Sequence, residues 1–258
     1  MDKGIGIAGI AGRMGRLLAE EVTAAGATLT GGIDRPEATV EGTTRFPDIA
    51  ALAAASDVVL DFSHASATAA HAQALAAAGC AWVLGTTGLS AADEAAVAEA
   101  ARRVPVVYAP NFSTGVNLVL ALAERMAAAL PAEHYDAEII EMHHRQKVDA
   151  PSGTAIGLGR AVAKGRGVVF EEVKESGRDG HTGARRTGAI GFAALRGGQV
   201  VGEHTLLFAA GTEHIAITHR AFDRRAFATG AVRAALWTRG RAPGLYSMLD
   251  VLGMGAGD

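Results

Sequence analysis

The feature that most constrains this chain is a glycine-spaced turn set between a short apolar run and an amphipathic one: Gly9-Ile10-Ala11-Gly12-Arg13-Met14-Gly15. Residues 5–8 before it read as a strand. Residues 13–24 after it place Met14, Leu17, Leu18 and Val22 on one helical face. A chain passing at once from strand to helix needs positions without Cβ at the turn, and the first helical N–H groups then point at whatever lies beyond. The spacing is GxxGxxG, with Ala11 where the commoner GxGxxG has its middle glycine. In a chain with 33 glycines the spacing alone says little, and its place between strand and helix gives it weight. Asp34 ends the next β-rich run about 20 residues on, where an acid accepts hydrogen bonds from an adenosine ribose. Arg35 beside it attracts the 2′-phosphate that Asp34 repels. NADH and NADPH therefore both remain open as cofactor.

The rest of the first half repeats the same alternation. β-rich runs at residues 58–62, 82–85 and 106–109 are separated by alanine-rich helical patterns at 65–78 and 91–102. Strand and helix alternating in this way predict a doubly wound, Rossmann-type parallel sheet covered on both faces. Ligands bind such sheets beyond the carboxyl ends of the strands. Three short polar segments fall there: Asp61-Phe62-Ser63-His64, Gly85-Thr86-Thr87-Gly88 and Ala109-Pro110-Asn111-Phe112. Each alone is ordinary turn chemistry; together they outline a crevice for a nicotinamide and its carboxamide.

The second half changes character. A long helix over residues 113–130 ends at Pro131. An apolar strand at 137–142 and a helix at 154–163 follow, and then extended runs at 188–195, 203–209 and 214–219. Consecutive strands with short turns predict a second, α+β domain with a mixed or antiparallel sheet. A last helix over 224–239 is expected to return to the first domain. The expected division is residues 1–113 with 225–258 for the dinucleotide domain and 114–224 for a substrate domain. Two crossings of the chain suggest a hinge.

The densest polar cluster, Glu141-Met142-His143-His144-Arg145-Gln146-Lys147-Val148-Asp149, precedes Ala150-Pro151-Ser152-Gly153-Thr154. Ser152 suits an N-cap, leaving N–H groups at Gly153 and Thr154 open at a helix start. Cationic side chains beside a helix N-terminus make a receptor for a small dicarboxylate. Adjacent histidines without an HExxH frame or nearby cysteines are a poor zinc pattern, so no metal is expected. Lys plus Arg number 24 and Asp plus Glu 27, a net charge of −3, which disfavours nucleic acid as partner. No run of 18 apolar residues predicts a membrane span. One cysteine, Cys80, and a start without signal-peptide layout predict a cytoplasmic protein.

Residues 138–155 closely resemble the signature of the bacterial 4-hydroxy-tetrahydrodipicolinate reductase family, also called the dihydrodipicolinate reductases, of the diaminopimelate route to lysine. The likeness extends to residues 8–16, 85–88 and 111–113, to Arg178-Asp179-Gly180-His181-Thr182-Gly183 and to Val201-Gly202-Glu203-His204-Thr205. It implies NADH- or NADPH-dependent reduction of a cyclic imine dicarboxylate. It implies His143 as acid/base, Lys147 as proton donor and substrate contact, and His144, Gly153 and Thr154 as substrate contacts. Cofactor contacts implied are Gly9, Ile10, Ala11, Gly12, Arg13, Met14, Asp34, Gly85, Thr86, Thr87, Ala109, Pro110, Asn111 and Phe112, with Arg35 toward NADPH. A homotetramer built through second-domain sheets is implied too. The chain is shorter than the family pattern after Asp34 and around residues 165–172, and the latter gap bears on assembly. On the residues themselves, Arg145 and Lys147 are expected to keep His143 neutral until a dicarboxylate binds. An amino-acid dehydrogenase acting on a substrate such as aspartate is the nearest enzymatic rival. A redox-sensing regulator is the rival from another class, and it leaves the His143–Lys147 cluster unexplained.

Overall fold

The computed structural model describes residues 3–38 and 42–255; the outermost residues of the expected dinucleotide domain lie outside these. The chain divides into two compact units, Met1–Thr114 with Arg225–Asp258, and Gly115–Arg224.

The first unit runs β1 (Ile5–Ala8), α1 (Arg13–Ala24), β2 (Leu29–Ile33), α2 (Ile49–Ala55), β3 (Val58–Asp61), α3 (Thr68–Ala78), β4 (Ala81–Leu84), α4 (Ala91–Ala101) and β5 (Pro105–Tyr108). All of its strands pair in parallel, in the order β11-β5-β4-β3-β1-β2, where β11 (Gly244–Tyr246) comes from the C-terminal stretch. β1, β3 and β4 are buried at every position, as continuous apolar strands covered on both faces must be. One face packs Ile5, Ile7, Leu60 and Val83 against Leu18, Val22 and Val232. The other packs Val59, Trp82, Leu84 and Val106 against Leu52, Leu75 and Val97. Each such side chain contributes roughly 1.5–3 kcal/mol by leaving water. Helix starts follow local chemistry: Asp48 accepts from Ala51 N–H to open α2, and Ser90 forms a capping box with Asp93 to open α4.

The second unit holds α5 (Thr114–Ala129, its first residue on the boundary), β6 (Asp136–His143), α6 (Gly153–Gly165), α7 (Phe170–Val173), β7 (Lys174–Ser176), β8 (Ile190–Arg196), β9 (Gly202–Ala209) and β10 (His214–Ala221). Its sheet has the order β10-β9-β6-β8-β7 and is mixed: β6 runs parallel to β8 and antiparallel to β9. Ala137 and Ile139 alternate inward on β6 and meet Leu158 and Val162 of α6 over Phe208 of β9. The chain then returns to the first unit as α8 (Arg225–Trp237), β11 and α9 (Met248–Val251). Arg225 anchors α8 to α1 through Glu20 and Glu21, each at 2.6 Å.

The structure departs from the sequence reading in places. Residues 65–78 form a 3₁₀ turn, Ala65–Ala67, before α3 begins at Thr68, because His64 caps the turn through Ser66 N–H. The strand expected from residue 188 starts at Ile190, as Gly188 holds φ +80. α2, α7, α9, β7 and β11 had no counterpart in the reading; all are short, and α2 is nearly pure alanine and leucine, which carries little periodicity.

Candidate active site

β1 and β3 are neighbours, with β2 on the far side of β1, so the strand order switches direction beside β1. A groove of about 840 Å³ opens there, lined by Gly9, Ala11, Gly12, Asp34, Arg35 and, from the β3 side, Phe62 to His64 and His71. Gly9 sits at φ +85, and a Cβ on it would lie 2.8 Å from Phe62 O. Gly15 lets α1 approach the loop: a Cβ there would lie 2.1 Å from Gly9 O. Asp34 accepts from Ala11 N–H at 2.7 Å and from Arg35 N–H at 2.8 Å, so its carboxylate is fixed at the groove mouth. Arg35 projects at 81% exposure, with Glu37 Oε1 3.6 Å from its Nε.

A second depression of about 490 Å³ is walled by Met14, Phe62 to Ala65 and Gly85 to Gly88, sharing the Phe62–His64 wall with the first. Thr86 Oγ1 is buried in it without a hydrogen-bond partner. An acid at one end, an uncapped helix N-terminus at Gly12 and an orphaned hydroxyl at the other fit a dinucleotide: ribose diol, pyrophosphate and carboxamide in turn. The other expected contacts are distributed differently. Ile10, Ala109 and Phe112 are buried in the core, so Ile10 and Ala109 can offer only backbone groups. The Phe112 ring packs at a tilt against Phe62, centroids 5.5 Å apart, and props the groove wall. Asn111 folds back to accept Ser113 N–H, and Pro110 and Arg13 are exposed. Sequence reasoning missed His71. It comes from α3, and its Nδ1 lies 2.7 Å from the buried Asp61, which also accepts from Ser63 N–H and Oγ. That triangle fixes the turn after β3.

The second unit gathers its polar groups at the C-terminal end of β6. Alternation turns Glu141 and His143 to the helix-covered face, where both are buried. His143 Nδ1 stands 2.6 Å from Glu141 Oε2. Arg196, ending β8, grips the same carboxylate with both terminal nitrogens at 2.9 Å. Burial alone would raise the Glu141 carboxyl; the hydrogen bonds from Arg196 and His143 outweigh it and hold it below the usual carboxylate range. For His143, burial pushes the imidazole down. Glu141 opposes this, and Lys147 and Arg196 reinforce it.

Ser152 connects the cluster to α6. Its N–H donates to Glu141 Oε1 at 3.1 Å, while its Oγ accepts Ala155 N–H at 3.2 Å as the N-cap. The same Oγ lies 2.9 Å from His204 Nε2 on β9. Burial, with the nearby His143, lowers His204 to about 4. Gly153 is exposed at the first turn of α6, and a Cβ there would meet nothing within 4 Å. This open space beside a helix N-terminus suits a carboxylate. Lys147 Nζ pairs with Asp149 at 2.8 Å, and His144 Nδ1 is buried without a partner. Arg145 is exposed, and the neighbouring charges that push His143 down are Lys147, as expected, and Arg196, which the sequence did not single out.

Models of the dihydrodipicolinate reductase N-terminus and C-terminus match residues 3–112 and 115–252. The chain belongs to the dihydrodipicolinate reductase family. Among relatives in the family, the 4-hydroxy-tetrahydrodipicolinate reductase of Granulibacter bethesdensis is 71% identical over 253 residues, covering 97% of each chain. That of Acidiphilium cryptum is 63% identical over 253 residues, covering 98% of each. A dipicolinate-bound dihydrodipicolinate reductase from Paenisporosarcina sp. TG-14 shares the fold with a TM-score of 0.78 at 23% identity, over 95% of this chain and 97% of that one. An aspartate dehydrogenase from Thermotoga maritima is more distant, with a TM-score of 0.51 at 11% identity over 92% and 97%. The fold thus extends to amino-acid dehydrogenases, while close sequence identity points to the reductases. No helix among the described residues is long and apolar enough to cross a membrane.

Proposed function

We propose that this chain is a 4-hydroxy-tetrahydrodipicolinate reductase, using NADH or NADPH in lysine biosynthesis by the diaminopimelate route. The observation that carries the reading is the buried His143–Glu141 pair joined through Ser152 to the open start of α6. A proton donor and a carboxylate receptor are thereby built as one piece, which a cyclic imine dicarboxylate needs.

When bound, the nicotinamide supplies hydride. Gly153 and Thr154 N–H groups hold one carboxylate of the substrate, and His144 and Lys147 contact the other, with Lys147 supplying the positive charge. Reduction leaves negative charge delocalised toward the ring nitrogen, where cations stabilise it and an acid must deliver a proton. His143 passes the proton from its imidazolium, and Lys147 assists. Buried beside Lys147 and Arg196, His143 stays neutral alone, and the bound dianion's charge favours uptake of a proton from solvent at the imidazole. Asp34 orients the adenosine ribose, Arg35 admits a 2′-phosphate, and Thr86 meets the carboxamide.

The same reading carries a cytoplasmic location, in keeping with a reduced-nicotinamide reductant and one cysteine, Cys80. It also carries a homotetramer assembled through the second-unit sheet, whose outer face shows the exposed Ile140 and Leu195. Sedimentation checks the assembly. Activity is tested by generating substrate afresh with a synthase acting on pyruvate and aspartate semialdehyde. Loss of absorbance at the reduced-cofactor wavelength is then followed with NADH and with NADPH. The expected result is synthase-dependent oxidation of at least one; none with either refutes the assignment, and oxidation of free aspartate with NAD would favour the amino-acid dehydrogenases.

A further inference from the structure

Glu141, buried on β6, gathers four hydrogen-bond contacts at one carboxylate. Oε2 receives His143 Nδ1 at 2.6 Å and Arg196 Nη1 at 2.9 Å; Oε1 receives Arg196 Nη2 at 2.9 Å and Ser152 N–H at 3.1 Å. Arg196 is itself held by the carbonyls of Leu195 and Asp149, at 2.6 and 2.5 Å. Three of the four contacts, both Arg196 nitrogens and the Ser152 N–H, are donors whatever the tautomer of His143, and they hold the carboxyl ionised and acceptor-only. An ionised acceptor at Nδ1 requires the proton of neutral His143 to sit on Nδ1, leaving Nε2 as the exchanging nitrogen. A second observation points to the same end of the ring. Gly202, opening β9, has no side chain where a Cβ would lie 3.0 Å from His143 Nε2 and 3.4 Å from Cδ2. The fold therefore leaves space at the nitrogen that Glu141 does not use.

We propose that Glu141, clamped by Arg196, is the positioning residue that fixes His143 in the Nδ1–H tautomer and presents Nε2 as the proton-transfer end. This rests on the reading of His143 as the proton donor and deepens it. Glu141 stays ionised throughout and does not take the proton. It sets the orientation of the ring, stabilises the imidazolium formed when His143 takes a proton from solvent with the dianion bound, and ties the ring through Ser152 to the carboxylate-binding start of α6. Arg196 balances its charge, so the pair orients His143 without holding it permanently charged.

The charged and titratable groups around His143 are Glu141 on its own strand, and His144, Lys147 and Asp149 in the loop beyond. Arg196 on β8, His204 on β9 (ring centroid 5.0 Å away) and His219 on β10, one strand further, complete the set. Only Glu141 among them accepts at Nδ1. In Glu141→Gln, one accepting oxygen becomes an NH₂ facing either His143 or Arg196, and the negative charge is lost.

The test uses the full chain. Nitrogen-15 NMR of histidine-labelled wild type, with His143 identified through His143→Gln, should show the Nδ1–H tautomer above its pKa; the Nε2–H tautomer overturns the proposal. Steady-state kinetics of Glu141→Gln across pH 5–9 should show kcat reduced by roughly 10²–10⁴-fold, as expected when an orienting carboxylate is neutralised. The alkaline limb should move about 1–3 pH units lower, and inhibition by pyridine-2,6-dicarboxylate should change far less than kcat. Glu141→Asp should recover part of the rate. A change confined to KM and dicarboxylate inhibition, or an unaltered kcat and pH profile, overturns the role of Glu141. Should Glu141→Gln fail to fold, the wild-type tautomer decides alone. A wild type without turnover refutes the reductase reading itself, a separate result from a wild type that turns over and is indifferent to Glu141.

Discussion

Two glycines in the first loop do different work, and alanine at each separates them. At Gly15 a Cβ would stand 2.1 Å from Gly9 O and 2.6 Å from both Ile10 Cα and Ile10 O. All three are backbone atoms of the loop, so no side chain can swing aside, and α1 must move away from β1. Forced overpacking of this kind costs about 2 kcal/mol, which lowers Tm by roughly 4–8 °C for a chain of this size. At Gly12 the nearest atom is Gly9 O at 3.1 Å. The backbone there, φ −67 and ψ 166, suits alanine. The fold should lose less than about 1 kcal/mol, the cost of a poorer N-cap. Its methyl, however, enters the groove at the uncapped start of α1, where a pyrophosphate would sit. Losing one charge-assisted hydrogen bond there costs about 1.5–3 kcal/mol, a weakening of roughly 10–100-fold. Fluorescence titration with NADH and NADPH, beside thermal unfolding, reads both. Gly12→Ala should bind cofactor poorly at near-normal Tm, and Gly15→Ala should lose Tm and affinity together. Wild-type affinity in Gly12→Ala would refute the placement of the pyrophosphate, and a wild-type Tm in Gly15→Ala would refute the close approach.

His143→Ala should lower kcat by roughly 10²–10⁴-fold with a smaller change in KM, as loss of a general acid does; unchanged turnover rejects the assignment. Lys147→Ala should raise KM and lower kcat, and normal substrate affinity would remove Lys147 from the anion contacts. Stability should fall as pH falls from about 6.5 toward 4, because His204 is held at about 4 when folded and takes up its proton freely when unfolded. That window is worth about 3 kcal/mol, read as thermal unfolding against pH, and His204→Gln should flatten the curve. Cys80, buried and pushed up to about 12, should resist thiol reagents at pH 8 until the chain unfolds; rapid labelling of the native protein would contradict its burial.

What the sequence made legible was local. The glycine loop, Asp34 and the run from His143 to Lys147 each lie within one turn or strand end, so residue type together with placement between neighbouring elements could suggest their chemistry. What it hid was brought together by register. Arg196 reaches Glu141 because His143 lies opposite it where β6 and β8 pair in parallel. His204 lies opposite Glu141 because β9 runs antiparallel. Neither pairing is written in any window of neighbouring residues, and Gly202 and His204 were noticed only through family resemblance. His71 was hidden in an alanine-rich helix, where a lone histidine gives no pattern. The misplaced expectation for Arg145 has the same origin: proximity in sequence stood in for proximity in space, and the strand carrying His143 had ended before Arg145 began.

In the proposed reaction, the charge arrangement lets His143 wait uncharged for the substrate. A carboxylate beside an imidazole would ordinarily keep it protonated, and an imidazolium held permanently in a cationic loop would repel Lys147. Here both oxygens of Glu141 are already committed to Arg196, which cancels much of the pull on the ring, and burial tips His143 toward neutrality. His204, lowered to about 4, adds no charge beside it. The one term left to vary is the ligand: two carboxylates arriving at Lys147 and the start of α6 favour the imidazolium. Ser152, at once the cap of α6 and a donor to Glu141, makes the anion receptor and the orienting carboxylate a single hydrogen-bonded unit. On that proposal, capture of the substrate and supply of the proton would be coupled by electrostatics, with no conformational switch required within that hydrogen-bonded unit.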